Sequence, residues 1–313
     1  MRFLKVSNYI LTRAVVIIMV LLLLLSGYFL WSNQRVYLDA EDVYDSLLQL
    51  KPKITDEKSR PDLKALKNIN PDIVGWITVD GTKIDYPVVQ GKNNLYYINR
   101  DFYGKPSLAG SIFLDTRNSK DFSDAYSLLY GHHMDNHLMF GDLDLFKKET
   151  FFRENSTGQL MTEDKVMELD VLAVLEISDN TKEIFNPTMW GSDLSDLATF
   201  VSGHALYVRE ETLKNLKAAP KMIQVISLVT CASGHTGMRT VLLLTAERDT
   251  PNPDKPHEGD VPLPTEETSS PAQTGDILFN SPWIWFGLLF IGLTAMTVIL
   301  ILERRDKKKK DKS

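Results

Sequence analysis

The sequence predicts a mainly β domain: a closed barrel of seven or eight short strands with helices in its connections, flanked by two membrane-spanning helices. Three observations predict it. Short β-prone runs recur between positions 73 and 244, set apart by turn residues. Residues 14–31 and 283–302 carry no charge over 18 and 20 positions, enough helix to cross a hydrocarbon core of about 30 Å. No internal repeat of useful length is visible, so the strands belong to one barrel rather than to an array.

The two ends set the location. Arg2, Lys5 and Arg13 precede the first span, which by the positive-inside rule keeps the N-terminus cytoplasmic. A cleaved signal peptide is the alternative, but no A-x-A site follows the apolar run. Trp283 and Trp285 open the second span at the depth expected of interfacial aromatics, and ERRDKKKKDKS follows it. That basic tail belongs in the cytoplasm, where it can meet anionic lipid. Both termini are therefore expected inside and residues 32–282 outside.

Between the spans the elements follow in order. Residues 36–67 place Val43, Leu47, Leu48, Leu50, Leu63 and Leu66 at helical spacing, with Pro52 and Pro61 as breaks. They read as two short helices, a collar over residues 32–69. Residues 73–79 and 83–89 alternate like strands about the Asp80-Gly81 turn, a hairpin signal. Residues 111–114 and 127–130 are two more strands, and 138–148 reads as one short helix. Residues 159–161 and 166–177 form a second hairpin about Glu163-Asp164. Residues 194–208 and 210–217 are helical in period, and the strands 222–229 and 241–244 complete a barrel domain of residues 70–248. Residues 250–276 hold six prolines, many acids and no aromatic residue, so the stretch 249–282 is a linker that cannot build a core.

The net charge of −6 and pI near 5.6 argue against a nucleic-acid partner. Cys231 is the only cysteine among 313 residues, which rules out an internal disulfide. It stands at the end of an apolar strand, with Arg239 on the strand that follows. That arrangement suits a nucleophile beside an oxyanion stabiliser. The other reading is a buried thiol acting as a small hydrophobe. Three of the six histidines, His132, His133 and His137, fall within six positions after the strand 127–130. His133 and His137 have i,i+4 spacing with Asp135 and Asp142 nearby, so a metal site is one reading, though no HExxH context supports zinc. The stronger reading is a histidine placed at a strand end to meet Cys231.

SLVTC (227–231) with the arginine of the next strand resembles the signature of the sortases, the surface transpeptidases of Gram-positive bacteria. YGHHM (130–134) resembles their histidine segment. NPDIVGWITVDGTKIDYPVVQGKNNLYYINRDF (70–102) and GSIFLDTRNS (110–119) are similar to class B members in particular. The resemblance covers residues 36–248 and implies an eight-stranded sortase barrel with N-terminal helices. It implies Cys231 as nucleophile, His132 as acid/base and Arg239 on the oxyanion, with Asn94, Tyr130 and Thr230 lining the substrate groove. His133 and His137 match no catalytic position, and neither metal nor organic cofactor is implied. The implied partners are surface or pilin proteins bearing a sorting signal, cut at a Thr–Gly-type bond. The acyl acceptor is an amine of a cell-wall peptide or of a pilin lysine. A non-catalytic, membrane-anchored assembly or binding module is the alternative from another class.

Residues 271–276, PAQTGD, precede an apolar span and a basic tail, which is also the layout of a sortase substrate. A plain second anchor behind a polar linker gives the same order, and the C-terminal mass of the protein from cells separates the two. The charge flanks themselves make a topological prediction. Protease added to intact, wall-stripped cells should remove residues 32–282 and spare an epitope fused after Ser313. Loss of that epitope would put the C-terminus outside.

Overall fold

The computed structural model describes residues 2–52, 62–230 and 237–248. The linker, second apolar span and basic tail expected over 249–313 lie outside the described residues, as does the break expected at Pro61. The chain divides into two units, one containing residues up to Leu38 and the other running on from Asp39.

The first unit begins α1 (Arg2–Leu48). Ile17, Ile18, Leu21 and Leu24 are exposed along it. Among the described residues this is the one helix long and apolar enough to cross a membrane, a length and composition shared by anchors and signal sequences. The sequence reading ended the span at Trp31 and began a separate collar helix. Instead α1 continues unbroken to Leu48, because residues 32–48 contain neither glycine nor proline and Pro52 is the first breaker.

In the second unit the last turns of α1 bury Leu47 and set Tyr44 against Tyr86, with ring centroids 5.0 Å apart. The short α2 (Lys64–Ile69) buries Leu66 and leads into β1 (Ile73–Val79), which pairs antiparallel with β2 (Asp85–Val89). Gly81 turns the chain between them at φ +76°, a conformation an L side chain adopts only under strain. β2 lies parallel to β3 (Ile112–Leu114), and β3 antiparallel to β4 (Tyr126–Gly131). A 3-10 helix (Gly141–Lys147) and α3 (Glu149–Glu154) follow, where one helix over 138–148 was expected. Lys148 between them is extended, so the two do not merge.

β5 (Thr157–Met161) pairs with β1 and with β6 (Val166–Ser178). α4 (Ser195–His204) then gives way to β7 (Ala205–Val208), a strand that the helical period over 194–208 had absorbed. Ala205-Leu-Tyr-Val is short and β-prone, and pairing with Ala173, Val174 and Leu175 of β6 decides its state. After α5 (Glu210–Ala218), the strands β8 (Ile223–Thr230) and β9 (Met238–Glu247) complete the sheet.

The strand order is β5-β1-β2-β3-β4-β8-β9-β6, and the β5–β6 pairing closes it into an eight-stranded barrel. β6 can join three neighbours because it is 13 residues long. It meets β5 through Val166–Asp170, β7 near Val174, and β9 from Asp170 to Ser178. β4, β8 and β9 are buried over almost every position, not alternately. That is the pattern of strands covered on both faces, and it explains why their sequences read as apolar runs.

The β1–β2 turn generates a test. A Cβ on residue 81 would stand 1.9 Å from Asn155 Oδ1 and would sit at positive φ. Gly81→Ala should therefore lower stability by about 1–2 kcal/mol, measured as the midpoint of denaturant unfolding. An unchanged midpoint would show that the turn is not held in the left-handed region.

Candidate active site

The centre of the barrel is β8, parallel to β4 on one edge and antiparallel to β9 on the other. The β4–β8 register runs from Tyr126 opposite Val225 to Gly131 opposite Thr230. The β8–β9 register ends with Val229 opposite Val241. Beyond that pair the Thr240 N–H donates to Thr230 Oγ1 at 3.1 Å. Cys231 and residues 232–236 lie outside the described residues, so the chain is described up to Thr230 on one side and from Gly237 on the other.

His132 directly follows β4. Gly131 before it must be glycine, because a Cβ there would come within 2.4 Å of Ile112 Cδ1 and 2.7 Å of Phe140 Cδ2. His132 is 9% exposed, and its Nε2 stands 2.8 Å from the Ile98 carbonyl oxygen. A carbonyl can only accept, so Nε2 carries the proton and the neutral ring keeps its lone pair on Nδ1. Burial lowers the basicity of this imidazole below its ordinary value, and the Ile98 hydrogen bond offsets only part of that.

The following loop is bridged rather than helical. His133 pairs with Met139, the Phe140 N–H donates to the His132 carbonyl at 2.9 Å, and His137 and Met139 take φ of +67° and +53°. His133 and His137 therefore do not share a helix face. His133 Nε2 donates to Asp144 Oδ2 at 3.1 Å, and His137 Nδ1 donates to Asp142 Oδ1 at 2.7 Å. The hydrogen bond to Asp144 raises the basicity of His133 against the opposing effect of burial.

Arg239 lies near the start of β9 and is 1% exposed. Its guanidinium carbon stands 5.3 Å from the Phe185 ring centroid, within cation–π range. The segment carrying Phe185 is fastened by Arg117, which donates to the Phe185 carbonyl at 2.9 Å and to Asn186 Oδ1 at 3.2 Å. Arg117 in turn grips the fully buried Asp115 with two bonds, Nε to Oδ1 at 2.8 Å and Nη2 to Oδ2 at 2.7 Å. Asp115-Thr-Arg117 sits inside the GSIFLDTRNS segment, where residue type alone does not mark the pair as a support for Arg239.

The three residues expected along a groove are part of this framework. Asn94 donates to Asp115 Oδ2 at 2.9 Å and accepts from the Thr116 N–H at 2.9 Å. Tyr130 is buried on β4, its ring 5.4 Å from that of Phe113. Desolvation, then Asp115, drive its phenol well above the ordinary range, while Arg117 and Arg239 act in the opposite direction. Thr230 is buried at the end of β8. The structure thus gathers a buried guanidinium on β9, the residue preceding the thiol at the end of β8, and a buried imidazole directly after β4. Such a set can supply proton transfer and a fixed positive charge to a nucleophile arriving at that end.

No protein-family model matches the chain. Sortase B of Listeria monocytogenes is 31% identical over 199 residues, 64% of this chain and 78% of the relative. Sortase B of Staphylococcus aureus is 34% identical over 149 residues, 46% of this chain and 61% of the relative. Among solved structures, a Streptococcus pyogenes class B sortase involved in pilus biogenesis superposes with a TM-score of 0.52 at 34% identity. It covers 59% of this chain and 98% of its own.

The adjacent histidines should titrate on opposite sides of the ordinary value of 6.5. His132, depressed by burial, makes a contribution to stability that falls as the pH drops and the unfolded chain takes up the proton first. His133, raised by Asp144, makes a contribution present below the ordinary value and lost as the pH rises through its own higher midpoint. An NMR titration of the imidazole C–H signals checks both, and coincident midpoints would contradict the assigned environments.

Proposed function

The chain belongs to the class B sortases, cysteine transpeptidases, and from that membership we propose that Cys231, His132 and Arg239 carry the acyl transfer. The observation that supports this most is the register around β8. Gly131 pairs with Thr230, so the residues that follow each, His132 and Cys231, leave adjacent parallel strands at the same end. Val229 pairs with Val241, and the Thr240 N–H donates to Thr230 Oγ1, so the residue before Cys231 meets the residue after Arg239. A peptide link allows Cys231 to stray only one Cα step of about 3.8 Å from Thr230.

In the proposed reaction the Cys231 thiolate attacks the carbonyl of the threonine in a sorting signal. The negative charge that develops on the carbonyl oxygen is met by the Arg239 guanidinium. The carbon–nitrogen bond then breaks and the departing amine takes a proton from the His132 imidazolium, leaving a thioester on Cys231. An incoming amine gives its proton back to His132 as it attacks the thioester, and the sulfur leaves as the Cys231 thiolate when the new amide forms. The depressed basicity of His132 makes its imidazolium a stronger acid toward the leaving amine while reducing the share of that form.

The substrates we propose are surface or pilin proteins with a Thr–Gly-type sorting signal, and the acceptor is an amine of a cell-wall peptide or a pilin lysine. The role of the S. pyogenes relative in pilus biogenesis supports the second acceptor. We propose further that α1 anchors the enzyme and that the span over 283–302 is a second anchor. Both termini would then lie in the cytoplasm and the barrel outside, at the surface where secreted substrates emerge. The groove roles of Asn94, Tyr130 and Thr230 belong to the same proposal, with Asn94 and Tyr130 acting through the Asp115–Arg117 framework they adjoin.

Activity is measured as the new amide formed between a sorting-signal peptide and an amine acceptor. Cys231→Ala and His132→Ala should each lose about 10³-fold or more. Arg239→Lys should lose about 10²-fold, because an ammonium cannot reproduce the planar fork. Full activity of Cys231→Ala would end this reading.

A further inference from the structure

Each of the three proposed catalytic residues has an immediate chain neighbour in a single hydrogen-bonded network. Thr230 precedes Cys231, Thr240 follows Arg239, and His133 follows His132. Thr240 donates its N–H to Thr230 Oγ1 at 3.1 Å and its hydroxyl to Asp144 Oδ1 at 2.6 Å. His133 Nε2 donates to the other oxygen of the same carboxylate, Asp144 Oδ2, at 3.1 Å. Lys147 adds a 3.0 Å contact to Asp144 Oδ1 from the same 3-10 helix.

We propose that Asp144 is a positioning residue for the acyl transfer, its carboxylate fastening the strand ends beside Cys231 and Arg239 to the loop that carries His132. The inference rests on the assignment of those three residues. Asp144 makes no claim on substrate or on the reacting atoms. It acts by holding two separately folded pieces in one relation, with one oxygen on β9 and the other on the loop after β4.

Three features favour a clamp over an incidental surface pair. Thr230 and Thr240 are 2% and 5% exposed, and a β-branched side chain there has few rotamers to lose. Exposed ion pairs contribute little because both partners must be ordered from solvent, whereas here the threonine side is ordered already. Asp144 and Thr240 are 96 positions apart in sequence, so the bond closes a long loop instead of stabilising a local turn. The hydrogen bonds from His133, Thr240 and Lys147 also keep the carboxyl ionised well below the ordinary carboxylate range, against the effect of burial. The anionic acceptor is therefore present throughout the working pH range, and His133 donates to it whether its ring is neutral or charged. Asp135 at 3.8 Å and Lys147 are the other charged groups facing His133.

The single cysteine gives a readout that needs no substrate. The full chain in detergent is alkylated with iodoacetamide, and the rate at Cys231 is followed against pH in wild type, Thr240→Val, Thr240→Ser and Asp144→Asn. Thr240→Val removes only the hydroxyl, and Thr240→Ser restores it. Thr240→Val and Asp144→Asn should move the thiolate midpoint up by about one pH unit, slowing alkylation about tenfold at pH values well below the wild-type midpoint. Thr240→Ser should stay within about twofold of wild type. Should Asp144→Asn fail to fold, the valine–serine pair decides alone. A wild-type profile in Thr240→Val, or equal loss in Thr240→Ser, overturns the clamp. A wild-type chain that forms no acyl adduct on Cys231 when incubated with a sorting-signal peptide overturns the catalytic assignment and the clamp with it, which keeps the two failures distinct.

Discussion

The pairing of β8 on both edges is the constraint from which the rest of this fold follows. Its backbone donors and acceptors are taken up by β4 along one side and β9 along the other, from Ile223 to Thr230. Slipping either neighbour by one residue would send every side chain of that strand to the opposite face. With β4, β8 and β9 buried almost throughout, no such slip is tolerated. The relation between the end of β4, the end of β8 and the start of β9 is thus fixed by the core and not by the loops that join them. A transpeptidase requires this kind of rigidity, since a reactive thiol, its acid/base and its counter-charge come from three separate stretches of sequence.

Burial then sets the chemical character of what those strands carry. His132 loses basicity because its ring is surrounded by protein, and the Ile98 carbonyl fixes its tautomer. His133, one residue on, turns toward a carboxylate and gains basicity instead. Two identical side chains in sequence thus acquire opposite tendencies from their partners alone. Around Arg239 the same logic works through packing. Asp115 holds Arg117, Arg117 holds the segment of Phe185, and Phe185 covers the guanidinium. The sequence segment 110–119 that resembled class B members is largely this support.

Much of the barrel was legible because its strands announce themselves. The Asp80-Gly81 hairpin, the apolar run of β8 and the run in β9 need no tertiary information to be read as β. β7 was not legible, since Ala205-Leu-Tyr-Val continues a helical period and becomes a strand only because β6 is long enough to offer it an edge. The extent of α1 was obscured for a related reason. The change from apolar to polar near Trp31 marks a change of surroundings, and nothing in residues 32–48 breaks the helix itself. At the site, the single cysteine, the histidine after a strand and the following arginine could be singled out by residue type and position. Asp144 could not, because an acid in a helical patch has no distinguishing pattern until Thr240, 96 residues away, is seen to meet it. His133 and His137 invited a metal reading through their spacing, which loses its geometric basis once the loop is bridged and each ring faces its own aspartate.

The central claim is that the three strand ends converge on a nucleophilic Cys231. The most direct measurement is the intact mass of the wild-type chain, quenched in acid during incubation with a sorting-signal peptide and no amine acceptor, followed by peptide mapping. The account predicts a mass gain equal to the acyl half of the peptide, confined to the fragment containing Cys231 and released by added hydroxylamine. An unmodified chain in the presence of cleaved peptide, or an adduct on any other residue, would contradict it.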